Sequence, residues 1–159
     1  MSKQIYFDAM REKGKLDAAD FQARSGAMTG TEMYAEEEKI PSFQAAVALK
    51  NMLERRAGDA DGFVCKSSAG RVVRLIQNYD SAVYTQEPEE LPAQWRFKWS
   101  TDPKKALPFV SIATSPYAIG DCCTYEGHVW RSGQENNTWA PGTINIVWED
   151  LGPVEEAAT

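Results

Sequence analysis

The sequence predicts an α+β protein: an N-terminal helical segment followed by two small antiparallel β-modules in tandem. Three observations predict it. The first third is rich in Ala, Leu, Met, Glu and Arg, residues that favour helix. Beyond Gly58–Gly62 come short runs of β-branched and aromatic residues, punctuated by Gly, Pro, Asn and Asp, the pattern of short strands and turns. A motif running from Gly62 to Gln77 then recurs from Gly120 to Gln134, and an internal repeat sets the architecture. The expected organisation is a helical attachment or oligomerisation segment over 1–58, a first module over 59–99, a linker over 100–113, a second module over 114–153 and a flexible tail over 154–159.

In the helical part, "SKQIYFDAMREKG" places Ile5, Ala9 and Met10 on one stripe with Tyr6 beside it, and Gly14 as a stop. "DAADFQARSG" reads as a second short helix, with Asp17 as N-cap and Gly26 closing it. Thr29 and Glu32 stand at capping-box spacing and Pro41 ends the third helix. Ser42 opens a fourth helix that closes at Gly58. The aromatic and sulfur residues here (Tyr6, Phe7, Phe21, Met28, Met33, Tyr34) exceed what so small a framework needs, so the surplus is available for docking on other copies or proteins. Glu36–Glu38 reads as a solvated helix face.

The expected strands are "FVCKSS", "RVVRLIQ", "SAVYTQ", "QWRFKW", "DCCTYE", "HVWRSG" and "INIVWEDL". With one residue removed from the first motif, Gly62 matches Gly120, Cys65 matches Cys123, Gly70 matches Gly127, Val72 matches Val129, Arg74 matches Arg131 and Gln77 matches Gln134. Pro88 stands seven residues before Trp95, as Pro141 does before Trp148. Each copy reads as a hairpin, a return loop and a closing strand. Gly62 and Gly120 lead into the first strand, and Gly70 and Gly127 make the tight turn. Trp95 and Trp148 plug the small cores, since one indole supplies much of the buried area available to so small a module. Cys65, Cys123, Val72 and Val129 are the other core positions.

The chemistry-bearing residues point away from catalysis. The net charge is −6, which argues against non-specific nucleic-acid binding. Cysteines number three and histidine one. An odd cysteine count makes no disulfide framework, and Cys122 and Cys123 face opposite ways on a strand. Cys122, Cys123 and His128 lack a fourth ligand and zinc spacing. No nucleophile elbow, Walker A loop or GxGxxG after a strand is present. No cofactor or metal is expected, and the protein is read as a non-enzyme. The N-terminus carries no basic start with an apolar run, and no stretch approaches spanning length, so synthesis in the cytosol without a signal peptide or membrane association is expected.

Several residues keep two readings. Val129 faces the core and leaves Trp130 partly exposed, to pack or to bind. Trp139, in a polar loop before Ala140 and Pro141, either stacks on a sugar face or folds back over the module. Asn136, Asn137 and Gln134 either bond sugar hydroxyls or satisfy loop backbone. Asp121, after Gly120, is a turn acid.

Tyr117, Gly120, Asp121, Cys123, Tyr125, Gly127, Trp130, Pro141 and Trp148 fall in an order that resembles the small chitin-binding modules of the carbohydrate-binding family 5/12 type. The resemblance covers the last quarter of the chain closely and Gly62–Trp95 loosely. Where those modules expose adjacent aromatics, this chain has "RSGQENN", which leaves Trp139 as the platform. The whole arrangement, with "TDPKKALPF" between the copies, is similar to proteins encoded among phage and prophage tail genes. The resemblance implies a structural protein of the virion tail, fibre or baseplate. Its glycan contacts would be Trp130, Trp139, Tyr125, Asn136 and Asn137, its partners other virion proteins or a cell-wall glycan, and its state a homo-oligomer, with a trimer expected. Rival readings are a capsid decoration protein of the same fold, and a chitin- or peptidoglycan-binding accessory of a glycan-degrading system.

Overall fold

The computed structural model describes residues 3–154, without the side chains of residues 3–8 and 10. The chain is mixed α+β. Helices α1 (Lys3–Arg24), α2 (Gly30–Ala35) and α3 (Phe43–Ala48) precede seven strands: β1 (Val64–Lys66), β2 (Val72–Leu75), β3 (Trp95–Phe97), β4 (Leu107–Pro108), β5 (Cys122–Tyr125), β6 (His128–Ser132) and β7 (Trp148–Pro153). The first three strands form an antiparallel sheet in the order β1-β2-β3, and the other four a mixed sheet in the order β4-β5-β6-β7, in which β4 runs parallel to β5.

The helical part departs from expectation in two places. Helix α1 runs straight through Gly14 and Asp17, so neither is a terminus. An isolated glycine lowers helix stability by about 1 kcal/mol without ending the helix, and the Asp17 carboxylate is taken by Lys13 one turn back, at 2.9 Å, instead of capping. Ala9 is exposed; the remainder of the expected apolar stripe, with Phe7, lies outside the described side chains. The last helix is shorter than its propensity suggests. Ser42 caps it, its Oγ accepting from Ala45 N at 3.1 Å, but Lys50 at φ 52° ends it. The Asn51 amide nitrogen donates to Ala46 O at 3.1 Å and occupies a helix-end carbonyl. The reversal brings both Phe43 and Met52 into one core. The Thr29–Glu32 capping box forms as expected, with bonds of 3.2 and 3.0 Å. Glu36 and Glu37 are half-buried and paired with Arg24, Lys39 and Lys105, rather than forming a solvated face. Hydrogen bonds from Arg24 and Lys39 hold the Glu36 carboxyl down at about 2.

Two hairpins anchor the sheets. Ser67 N donates to Arg71 O at 2.8 Å, closing a three-residue turn whose last residue, Gly70, has φ 88°. Between β5 and β6 only Glu126 and Gly127 form the turn, at φ 49° and 80°, the two positive angles of a type I′ turn. The one-residue difference between the two motifs lies in these turns. Trp95 sits opposite Leu75, and Trp148 opposite Ser132. Pro88 and Pro141 are both buried.

Elsewhere the strand expectations were too generous. Asp80 accepts from the backbone N–H groups of Ala82, Val83 and Tyr84, so "SAVYTQ" is a turn that leaves Val83 and Tyr84 exposed. The last strand begins only at Trp148, and Ile144 and Val147 before it are exposed. The segment expected to be a linker holds a short helical turn (Pro103–Lys105) and contributes β4 to the second sheet.

The first sheet is buried on both faces: Val72 and Val73, neighbours that point oppositely, are each fully buried. On one side Phe21, Met33, Tyr34 and Ile40 cover Val64 and Val72. Phe21, Met33 and Tyr34 therefore serve this core rather than a partner. On the other side Cys65, Val73, Leu75, Trp95 and Phe97 join a larger cluster that also holds Phe43, Met52, Tyr79, Trp99, Ile112, Tyr117 and Cys123. Trp95 is its plug, edge-on to Phe43 at 5.7 Å and Tyr79 at 5.8 Å. A stack of rings then runs from sheet to sheet: Phe97 on Trp99 at 6.0 Å, Trp99 on Tyr117 at 4.3 Å and Tyr117 on Phe109 at 5.6 Å.

The paired glycines have different reasons to be glycine. Gly120 has φ 95°. Gly62 has an ordinary φ, but a Cβ there would collide with Leu75 O and lie 2.7 Å from Gly58 O. Gly62→Ala should therefore cost about 3 kcal/mol by overpacking, against about 1 kcal/mol for Gly127→Ala, whose Cβ meets nothing. Urea unfolding of both variants checks the order; equal losses would contradict it.

Candidate functional site

The region with unspent binding chemistry is one face and border of the second sheet. Paired residues across a sheet share a face, so Cys123 and Trp130 point the same way, as do Ser132 and Trp148 beside them. Cys123 lies at the buried centre. Tyr125, Trp130 and Trp148 lie towards the border and are each part-buried. Phe109 links two of them, edge-on to Tyr125 at 6.1 Å and to Trp148 at 6.2 Å. Trp139 adds a fourth ring from the loop before β7 and is 48% exposed.

These rings are held, not loose. Trp130 Nε1 donates to Tyr125 O at 3.1 Å, which ties two of the rings across the hairpin. Trp148 Nε1 donates to Trp139 O at 2.8 Å, so the loop that carries Trp139 is pinned to the sheet through its backbone while its indole stays free to make contacts. Trp139 N is fixed by Asn137 Oδ1 at 3.2 Å.

The structure separates the expected contact residues. Trp139, Trp130 and Tyr125 belong to this aromatic rim. Asn136 is exposed on a left-handed backbone at φ 52°. Asn137 does not belong: it is fully buried. Its backbone exchanges two bonds with Tyr117, at 2.8 and 2.9 Å, and its amide donates to Ser132 Oγ at 3.1 Å. Every part of this side chain is used in fastening the loop. Gln134 is spent similarly, its Oε1 accepting from Val147 N at 2.9 Å. Asp121 Oδ2 accepts from Ala118 N at 2.8 Å, the turn role expected of it.

The expected core plugs divide. Trp95 is fully buried, whereas Trp148 is only part-buried and packs edge-on to Tyr117 at 5.5 Å. The fully buried ring beside the second sheet is Tyr117, 1% exposed and bridged to Asn137, which the sequence presents only as part of a motif. Val129 is buried on the side of β6 opposite Trp130.

His128 faces Asp150 across β6 and β7, Nδ1 lying 2.8 and 3.0 Å from the two carboxylate oxygens. Its ring stands 6.3 Å from that of Trp130, so the pair adds a polar border to the rim. The signal for it was the i, i+2 spacing of Trp148 and Asp150 on one strand. Among the described residues no hydroxyl or thiol bonds to His128, and no group of three or more His, Cys, Asp or Glu is placed to hold a metal ion. No described helix is long and apolar enough to cross a membrane. All three cysteines are free and buried. Burial pushes the Cys123 thiol up to about 12 and raises those of Cys65 and Cys122.

Comparison of the chain with protein-family models, with curated proteins and with solved structures finds no match.

Two outcomes follow. A thiol-specific disulfide reagent at mildly alkaline pH should label no cysteine in the folded protein and all three after unfolding; rapid labelling of Cys123 in the folded state would contradict its burial. The Asp150 carboxyl is held below its ordinary 3.8 by hydrogen bonds from His128 and Gly152 N. A depressed carboxylate contributes stability above its unfolded pKa and loses it as pH falls through the folded value. His128→Ala should therefore raise the Asp150 carboxyl pKa in an NMR titration, with the smaller lowering from Gly152 retained.

Proposed function

We propose that this chain is a non-enzymatic structural protein of a phage-type virion, in the tail, fibre or baseplate region, and that its second sheet is a carbohydrate-binding-like module turned towards a host-surface glycan. The observation that carries the binding reading is the rim of Tyr125, Trp130, Trp139 and Trp148, part-exposed on a hydrogen-bonded sheet. Sugar rings present apolar C–H faces, and a fixed indole can bury such a face at little cost in side-chain entropy. Exposed Asn136 and the His128–Asp150 pair supply polar groups for hydroxyls at the border. The tail address rests on the resemblance of the motif order to chitin-binding modules and of the whole arrangement to phage tail proteins.

The proposal includes a duplication: the two sheets are copies of one small module. Cys65 lies opposite Val73 and Cys123 opposite Trp130; Leu75 lies opposite Trp95 and Ser132 opposite Trp148. These pairings coincide when the motifs are aligned with one turn residue removed. Exposed Ile144 and Val147 near Trp139 favour a second reading of the same rim, contact with another virion protein. Homo-oligomeric assembly, with a trimer as the simplest tail symmetry, belongs to the same proposal.

Retention on insoluble chitin and on purified bacterial cell walls tests the glycan reading. The parent protein should be retained on at least one. Trp139→Ala should weaken retention about tenfold, or about 1.4 kcal/mol, without loss of folding, since only the Trp139 backbone is used by Trp148. No retention of the parent on either matrix would sink the glycan reading and leave the protein-contact one.

A further inference from the structure

Each sheet ends in two strands whose outer backbone groups could pair with another chain, a hazard that natural proteins block. Three of the four edges here are blocked by identifiable devices. On β1, the Gln22 side chain imitates a strand: its Nε2 donates to Val64 O at 2.7 Å and its Oε1 accepts from Val64 N at 3.0 Å. Lys66 N, two residues on, donates to Pro41 O at 2.9 Å. On β3, Ser115 Oγ accepts from Phe97 N at 2.9 Å. Strand β4 is two residues long, one of them a proline without an N–H, and Pro108 O accepts from Arg71 Nη2 at 2.8 Å.

Strand β7 is the exception. It is the longest strand among the described residues, at six, and lies at the end of its sheet. Gly133 N donates to Val147 O at 2.9 Å, and antiparallel bonding alternates, so Glu149 also bonds inwards to Arg131, its opposite number. Trp148 and Asp150 therefore turn their N–H and C=O groups outwards, and no described residue meets them there. Glu149 and Asp150 are exposed; Glu149 lies 3.5 Å from Arg131 and Asp150 2.8 Å from His128, surface pairs weak enough that an incoming cation can share either carboxylate.

We propose that the open edge of β7 is a docking site for an extended peptide segment bearing basic residues, added to the sheet as a fifth strand. The side chains along the edge select the partner. Trp148 and Asp150 lie on one face, and Val147, Glu149 and Leu151 on the other. Each face thus pairs an acid with an apolar surface. An added strand that alternates Lys or Arg with apolar residues meets both. A second copy of this chain fits poorly, because the antiparallel registers centred on this segment set either Glu149 opposite Glu149 or Asp150 opposite Asp150, and like charges across a pair oppose it. The inference does not rest on glycan binding: it uses the backbone of β7, and the Trp139 indole takes no part.

The test uses two capped synthetic peptides of equal length, one alternating Val with Lys and one alternating Val with Glu, added to the full chain. The Lys peptide should slow hydrogen exchange at the Trp148 and Asp150 amides, read by NMR, with the Glu peptide weaker. Glu149→Lys leaves the outward backbone groups intact and should weaken the Lys peptide about three- to tenfold while favouring the Glu peptide. Unchanged exchange at both amides at millimolar peptide would overturn the proposal. So would equal binding of the two peptides, or protection of these amides by self-association of the free protein.

Discussion

The contact on which the rest of the molecule depends is the 4.3 Å stack of Trp99 on Tyr117. Trp99 follows the last strand of the first sheet, and Tyr117 precedes the first hairpin of the second. Their rings join two sheets that are each too small to enclose a core: a three-stranded sheet and a four-stranded one with a two-residue edge. Ser115 locks the junction, accepting from Trp99 Nε1 and from Phe97 N. The N-terminal part is keyed to the same place, for Gly30 lies so close to Trp99 O that no side chain fits. Aromatic pairs contribute about 0.5–1.5 kcal/mol each beyond the area they bury, so a run of stacked rings is a sizeable share of a stability that for a domain of this size is only about 5–15 kcal/mol.

Buried polar groups fix which way the parts meet. Arg74 is 3% exposed and donates to the carbonyls of Asp59, Ala60 and Ser25. It ties β2 to the end of α1 and to the loop before β1. Burial lowers its pKa, with Asp59 and Asp61 opposing that effect. Arg71 does the same between sheets, joining Glu89 to Pro108 O. The Tyr34 hydroxyl accepts from Val72 N and donates to Lys98 O, standing between two backbone groups that would otherwise pair. Hydrophobic burial would tolerate several relative placements of helices and sheets. A buried guanidinium with three carbonyl partners tolerates few, because each unmade bond leaves a buried polar group without water.

What could be read from the sequence were features written in local chemistry. The capping box at Thr29 and Glu32, the cap at Ser42, the turn glycines Gly70 and Gly127 and the buried cysteines all follow from neighbours in the chain. What could not be read was decided by partners distant in sequence. Gly14 is a separate case, local and still misleading: a lone glycine costs a helix only about 1 kcal/mol, and Lys13 and Asp17 pair one turn apart across it. Asn137 looks like a sugar ligand and is a fastener, because Tyr117 and Ser132 fold against it. Trp148 looks like the counterpart of Trp95, and in strand register it is, but its burial is set by what lies over it. The adjacent Val72 and Val73, pointing to opposite faces, are the local sign that both faces of the first sheet are covered, but they do not say which elements cover them.

That difference between the two tryptophans bears on what the molecule can bind. Over Trp95 the first sheet has α3 and the following turn, which bring Phe43, Ala46 and Met52, with Tyr79 from the return loop. Among the described residues no α-helix brings a ring against Tyr125, Trp130 or Trp148, and the return loop brings Trp139 up to Trp148 by a backbone bond instead of an apolar side chain. The rings Tyr125, Trp130 and Trp148 are therefore half-covered by the central aromatic stack on one side and open on the other. Aromatic surface left in this condition on a rigid sheet is unsatisfied in water, and the entropy of fixing it has already been spent in folding. On the proposed reading, one duplicated small sheet serves as buried scaffold where helices cover it and as a gripping surface where they do not. The proposed binding role follows from that missing cover, with no further chemistry required of the chain.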